Sequence, residues 1–340
     1  MHRLNQGSDE ICVLATGGAG YIGSHVVYAL LDRGYRVVVL DNLSTGERDL
    51  VADDAIFVEG DVGDRRLVQS LLDEHACRAV LHFAAAIVVP ESVQEPIRYY
   101  ANNVANSIAL LQSCQNSSVD SFVFSSTAAV YDGDGHHALT EDDKLGPANP
   151  YGRSKLMIET ILRDVAAISS LRYGILRYFN VAGADPQMRT GQSAPVATHL
   201  IKRACQAAVG TLDHIDVFGS DYPTPDGTAV RDYIHVSDLA TAHIQLLEQL
   251  LGGGDSSVLN CGYGHGFSVR QVLEAVERVA GAPLDIRPAS RREGDAASLI
   301  ANPDRLRKLL GWVPEYDDLD RIVETALRWE RRLRQSESAS

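Results

Sequence analysis

The chain has 340 residues, 45% of them hydrophobic, enough for one large domain or two fused ones around a sizeable core. Its formal net charge of -14 argues against nucleic acid or an anionic membrane as a general partner. The 5 cysteines show no C-x-x-C or paired spacing, so Cys12 and Cys261, in apolar runs, read as core thiols, and a reducing compartment such as the cytoplasm is expected.

Residues 1–10 lack the apolar stretch of a signal peptide and read as a flexible tail, as do 334–340. No apolar run approaches the ~18–20 residues of a membrane span. From residue 11 the chain runs ICVLATGGAGYIGSHVVYALLDRGYRVVVLD. The spacing predicts a buried parallel strand at 11–15, a glycine turn at Gly17, Gly20 and Gly23, and a helix over 21–32. Gly34 then ends the helix, and a second strand at 35–40 stops at Asp41. A phosphate needs backbone N–H donors and the positive end of a helix, and glycine lets the backbone come close. An acid about 20 residues after the turn suits the adenosine ribose hydroxyls and disfavours a 2′-phosphate, so the nucleotide is NAD rather than NADP.

Further strands are predicted at 55–59, 80–83, 122–126 and 171–177, with a long helix over 91–114 and another from Pro150. Strict alternation of strand and helix means a parallel sheet covered on both faces, with ligands beyond the carboxyl ends of its strands. After Asn180 a loop rich in Gly, Pro and Ser marks a domain boundary. Helices follow at 196–209, from Ser237 or Asp238 to about 251, at 268–279 and at 319–333, with short strands at 215–219 and 258–261. The expected fold is α/β: a Rossmann-type doubly wound parallel sheet over 11–180, with 233–262 returning to it. A smaller α/β substrate-binding domain would cover 181–333.

Tyr151 and Lys155 are four residues apart, on one face of the helix that Asn149 and Pro150 start. A free phenol, with a pKa near ~10, is a poor base at neutral pH. An ammonium beside it favours the phenolate, which could take the proton of a sugar hydroxyl. Thr127, at the end of the fifth strand, can hydrogen-bond at the same substrate oxygen. Arg231 and Arg292 are candidate anion ligands in an otherwise acidic chain, and Phe218 offers a flat aromatic face.

These residues lie in TGGAGYIGSH from Thr16, LDNLSTG from Leu40, EGDV from Glu59, HFAA from His82, YYANN from Tyr99 and FSSTAAVY from Phe124. NPYGRSK from Asn149, LRYFNVAGA from Leu176, VFGSDYPTPDGTAVRDYIHV from Val217 and RREGD from Arg291 complete the set. Over about 12–329 the chain resembles the extended short-chain dehydrogenase/reductase family, and within it the 4-epimerases of UDP-hexoses. The resemblance implies NAD-dependent interconversion of UDP-glucose and UDP-galactose: hydride leaves C4, the 4-keto sugar turns over, and hydride returns to its other face. It implies that Tyr151 is the proton acceptor, with Lys155 and Thr127 as partners. Gly17, Gly20, Tyr21, Ile22, Gly23, Asp41, Asn42, Leu43, Ser44, Thr45, Gly46, Asp61 and Val62 would line NAD. Phe83, Ala84, Ala85, Ile87, Asn102 and Phe179 would do so too, with Thr127, Tyr151 and Lys155. Thr127, Tyr151, Asn180, His199, Leu200, Phe218, Arg231, Tyr233, Arg292 and Asp295 would hold the UDP-sugar. It also suggests a homodimer through helices 91–114 and 151–168.

The chain departs from the family at Thr127, often serine, at Ile87, lysine in some members, and at Asp132, usually glycine. Leu299 stands where bulk is associated with exclusion of N-acetylated sugars. Ala128 and Ala129 replace the acidic pair that related 4,6-dehydratases use to eliminate water. Of the histidines, His82 reads as a packed core residue and His136 and His137 as solvated. None has H-E-x-x-H spacing, and no metal is expected. An epimerase of UDP-N-acetylhexosamine or UDP-uronate, and a non-catalytic NAD-sensing protein, are the rival readings.

Overall fold

The computed structural model describes residues 11–133, 137–194, 198–291 and 295–339. The first half alternates as predicted. β1 (Cys12–Thr16) leads through the glycine turn into α1 (Tyr21–Asp32) and β2 (Arg36–Asp41), followed by β3 (Ile56–Glu59), α2 (Arg65–Glu74) and β4 (Cys77–His82). The predicted helix 91–114 is instead broken into α3 (Val89–Gln94), α4 (Pro96–Tyr99), a π-helical turn at Tyr100–Ala105 and α5 (Asn106–Gln115). Pro96 is the cause: it has no N–H to donate, and Glu95 before it takes φ -125 and ψ 58, outside the helical range. β5 (Ser121–Thr127), α6 (Pro150–Ala167) and β6 (Arg172–Tyr178) complete the alternation. Pro150 is at the helix start, and the Asn149 side chain accepts from the Gly152 N–H at 2.9 Å.

The second half has shorter elements: β7 (Asn180–Ala182), α7 (Leu200–Val209), β8 (Ile215–Phe218), β9 (Val230–Arg231), β10 (Tyr233–His235), α8 (Val236–Leu251) and β11 (Ser257–Cys261). β12 (Phe267–Ser268), α9 (Val269–Ala280), β13 (Ile286–Ala289), β14 (Ser298–Leu299), α10 (Asp304–Leu310) and α11 (Leu319–Ala339) follow. The helix predicted from 196 starts at Leu200, with 196–197 outside the described residues. The N-cap of α8 is His235, whose ring accepts from Ser237 N–H, in place of the predicted Ser237 or Asp238. Asp238 turns inward and accepts from the backbone N–H groups of Glu315 and Tyr316. The terminal helix continues past 333, into the stretch predicted to be a tail. Arg332 and Arg334, which donate to the carbonyls of Met188 and Val209, anchor that turn.

Seven strands form one parallel sheet in the order β11-β6-β5-β4-β1-β2-β3. Its central strands are apolar because helices cover both faces, and all five residues of β1 are buried. The chain leaves this sheet after β6 and rejoins it at β11, which pairs with β6. Outside this sheet, small sheets carry the remaining groups. β7 pairs with β10, so Asn180 lies opposite Tyr233, while β14 pairs with β9, so Leu299 lies opposite Arg231. The five cysteines are free and buried.

Candidate functional site

The glycine turn is held through its backbone. Gly17 has φ 73, and a Cβ there would lie 2.5 Å from the Ala84 nitrogen, so only glycine fits without a shift. Its N–H donates to the Leu40 carbonyl at 2.9 Å, and the N–H groups of Phe83 and Ala84 both donate to the Thr16 carbonyl. A Cβ on Gly23 would lie 2.2 Å from the Gly17 oxygen, which seats α1 directly on the turn. The strand ends of β1, β2 and β4 thus meet around Gly20 and the start of α1.

Asp41 lies beside this turn. Its carboxylate accepts from Ala19 N–H and Leu43 N–H, each at 2.9 Å. Burial raises its pKa, and those two hydrogen bonds oppose the rise. Leu43 takes φ 54 and Gly46 packs on Ala19, so the loop 42–46 closes over the turn. Asn42 donates to Asp61 at 2.9 Å, and Asp61 accepts from Gly63 N–H. Val62 is buried. Ile22 packs on the core, while the Tyr21 phenol reaches away to donate to the Gly183 carbonyl at 2.6 Å. Phe83 lies against His243, with Ala85 half-buried after it, and Ile87 is 53% exposed. Asn102 donates to Asn103.

Tyr151 and Lys155 share one face of α6, and both are buried at the end of β5. The Lys155 ammonium donates to the Ser125 carbonyl at 2.9 Å and lies 4.9 Å from the centre of the Phe124 ring. Burial lowers its pKa to about 7, and the Glu159 charge opposes that. The Tyr151 phenol is pushed up to about 12 by burial, and its hydrogen bond with Thr127 works to lower it. In the sequence reading the lysine depresses the phenol. Here burial sets the direction, and the group that opposes it is Thr127. The Thr127 hydroxyl also accepts from Ala129 N–H at 3.2 Å. Phe179 is buried in the adjoining apolar cluster with Ala128 and Tyr131.

In the second half Asn180, His199, Leu200 and Tyr233 line one small pocket. The His199 ring nitrogen Nδ1 is 2.8 Å from the Gln192 amide, and burial lowers its pKa. The Lys202–Glu330 ion pair lines this pocket too. Arg231 is buried and donates to Asp295 at 2.5 Å and to the Val230 and Ala296 carbonyls. Phe218 ends β8, half-buried, and Arg291 lies 3.9 Å over the Tyr222 ring. Arg292 and His136 lie outside the described residues. His82 is buried, bonded to Thr16 at 2.7 Å and Ser107 at 2.8 Å, and His137 is exposed beside Asp143. Among the described residues no cluster of three or more His, Cys, Asp or Glu could hold a metal, and no helix is long and apolar enough to cross a membrane.

The model of the NAD dependent epimerase/dehydratase family matches residues 13–262. The chain belongs to this family. It is 55% identical to a UDP-glucose 4-epimerase of Azospirillum brasilense over 95% of this chain and 93% of that one. Its fold is similar to that of UDP-glucose 4-epimerase from Brucella ovis in complex with NAD (TM-score 0.91, 42% identity, 94% of this chain and 98% of that chain). It is also similar to the Stenotrophomonas maltophila UDP-glucose-4-epimerase with bound NAD and formylated UDP-arabinopyranose (TM-score 0.92, 38% identity, 96% and 100%).

This epimerase/dehydratase chain has Ala128 and Ala129 in the turn directly after Thr127, so no acid side chain stands there. Two groups of this family member were not read from the sequence. Asn103, buried in the π-helical turn, accepts from Ala86 N–H, and donates to the Ala86 carbonyl and to Ser154 on α6. Glu159, fully buried one turn beyond Lys155, was legible only as the next member of the series 151, 155, 159 on one helix face.

Proposed function

We propose that this chain interconverts UDP-glucose and UDP-galactose by NAD-dependent epimerisation at C4. The observation that carries the reading is that Tyr151, Thr127 and Lys155 meet at the carboxyl end of β5, in the same sheet whose glycine turn and Asp41 lie at the neighbouring strand ends. The residues present fit the dinucleotide: Gly17 and Gly23 have no room for a Cβ, which packs the turn tightly at the start of α1 where backbone N–H groups suit a phosphate, and Asp41 offers acceptors beside it. Bound there, NAD supplies a reversible hydride acceptor for C4. Loop 42–46, Asp61, Val62, Phe83, Ala84, Ala85, Asn102 and Phe179 complete its enclosure. Tyr151 takes and returns the C4 hydroxyl proton, Thr127 holds that hydroxyl, and Lys155 supplies the positive charge that draws the phenol toward its ionised form. Asn180, His199, Leu200, Phe218, Tyr233, the Arg231–Asp295 pair and Arg292 hold the UDP end, so the sugar can turn while the nucleotide stays.

Residues 11–180, with 233–262, form the NAD domain and 181–333 the UDP-sugar domain, a division supported by the pairing of β11 with β6. The chain works as a cytoplasmic homodimer. The five free thiols support that compartment, and Val93, Ile97 and Met157, exposed on α3, α4 and α6, support that interface. Light scattering at the mass of one chain would remove the dimer.

Purified protein is expected to release NAD on denaturation and to convert UDP-galactose. Tyr151→Phe should keep the fold and the NAD but lose at least ~10²-fold in turnover. Near-full activity of that variant removes the assigned base, and an active protein free of dinucleotide removes the mechanism. A higher rate on UDP-N-acetylgalactosamine than on UDP-galactose would favour the N-acetylhexosamine reading.

A further inference from the structure

Beneath Tyr151 and Lys155 lies a buried ion pair that the proposed chemistry does not use. Glu159 and Arg177 are 0% and 1% exposed. One Glu159 oxygen accepts from Ser126 Oγ at 2.6 Å and Arg177 Nε at 3.0 Å. The other accepts from Arg177 Nη2 at 2.6 Å and Arg163 Nη2 at 3.4 Å. Arg177 in turn donates to the Tyr131 hydroxyl at 3.0 Å, which donates to Asn260 at 2.6 Å. A buried ion pair is weak as a source of stability, since desolvating both charges offsets most of their attraction. What this one does is join three elements: α6 through Glu159, β5 through Ser126 and β6 through Arg177. Ser126 lies between Ser125, whose carbonyl holds Lys155, and Thr127. Glu159 follows Tyr151 and Lys155 at the same helical interval, so its carboxylate stands one turn from the ammonium.

We propose that Glu159 is a positioning residue for the epimerisation: through Ser126 it fixes the strand end that carries Thr127, and it places a fixed negative charge one turn from Lys155. This rests on the function proposed above. The groups facing Lys155 are Tyr151 and Glu159 on its own helix, Ser125 and Phe124 on β5, and His82 on β4. His82 is held neutral by burial, and the ammonium itself adds to that. Burial drives the ammonium toward its neutral form, with a pKa of about 7, and Glu159 is the group that acts against this. Removing that charge therefore makes Lys155 lose its proton at a lower pH, and activity on the alkaline side should fall earlier.

The test is the kcat–pH profile of NAD-loaded enzyme with UDP-galactose. Glu159→Gln, which keeps shape and removes charge, should move the alkaline half-point down by roughly one unit, with kcat at pH 8 falling about tenfold and KM little changed. Glu159→Asp, shorter but charged, should restore the alkaline half-point while remaining slower. A merely structural role predicts the reverse order, because the isosteric glutamine packs better than the shortened aspartate. Should Glu159→Gln fail to fold with Arg177 left unpaired, the double variant Glu159→Gln/Arg177→Met removes both charges and should show a shift in the same direction but smaller, because the opposing positive charge is lost as well. An unmoved half-point with a uniform loss of kcat overturns the proposal, as does full activity. Wild-type protein that fails to convert UDP-galactose overturns the function instead, so the two failures are distinguishable.

Discussion

The two halves of the molecule hold their functional groups by different means. In the first half the groups stand at the ends of strands in one seven-stranded sheet, and hydrogen bonds to backbone groups fix them. Gly17 bonds to Leu40, Ala84 to Thr16, and Asp41 clamps Ala19 and Leu43. In the second half the strands are two to five residues long, mostly in separate small sheets, and side-chain pairs do the positioning. Arg231 pairs with Asp295, Lys202 with Glu330, and Arg291 lies on Tyr222. A region built from backbone fails as a unit when one residue changes. A region built from side-chain pairs loses contacts one at a time, which suits an end of the site that grips a nucleotide.

The strongest way to break this contrast is Gly17→Ala. Its Cβ meets the Ala84 backbone at 2.5 Å, and the positive φ of 73 is unfavourable for alanine. The left-handed backbone and the overpacking together cost about 2–5 kcal/mol. The purified variant should hold no NAD, and a stoichiometric NAD content after denaturation would contradict the backbone account.

Acidification probes the buried histidines of α1, β4, β10 and α8. Burial lowers His82 and His235 to about 3 and His25 and His243 to about 4. Unfolded histidine takes a proton near 6.5, so between that value and the folded ones the unfolded state binds more protons. Stability should fall as pH falls, by up to about 2 kcal/mol per histidine at pH 5. The Asp232 carboxyl, raised to about 6 by burial, works in the opposite direction and cancels part of this. A urea midpoint at pH 5 equal to that at pH 7 would mean that these rings are reached by water in the folded protein.

The smallest expected effect belongs to the second half. Arg231→Met removes one charged hydrogen-bonding group, worth about 1.5–3 kcal/mol. KM for UDP-galactose should rise about tenfold or more while kcat and bound NAD stay near wild type. Loss of NAD in this variant would show that the halves are not separately positioned.

Much of the first half was legible because its signals are local. The run 11–41 predicts strand, turn, helix and acid, and the structure has them within a residue or two. The helix over 91–114 was misread because apolar periodicity outweighed Pro96, and α8 because serine and aspartate are common caps and histidine is not. The short pairs β9–β14 and β7–β10 carry almost no periodicity, so nothing in the sequence placed Leu299 beside Arg231 or Asn180 beside Tyr233.

By itself the sequence determined which residues share a strand end or a helix face, because alternation and the helical repeat are properties of neighbouring residues. It therefore put Tyr151 and Lys155 on one side of α6 and Gly17 and Gly20 ahead of α1. Only the tertiary structure decided what those groups meet. It set the Lys155 ammonium on a β5 carbonyl, buried the phenol, made Asp41 a clamp on the turn, and drew Arg177 and Ser126 onto Glu159. Burial and long-range hydrogen bonds depend on how the sheet and helices pack, and they fix the direction in which each ionisable group is shifted.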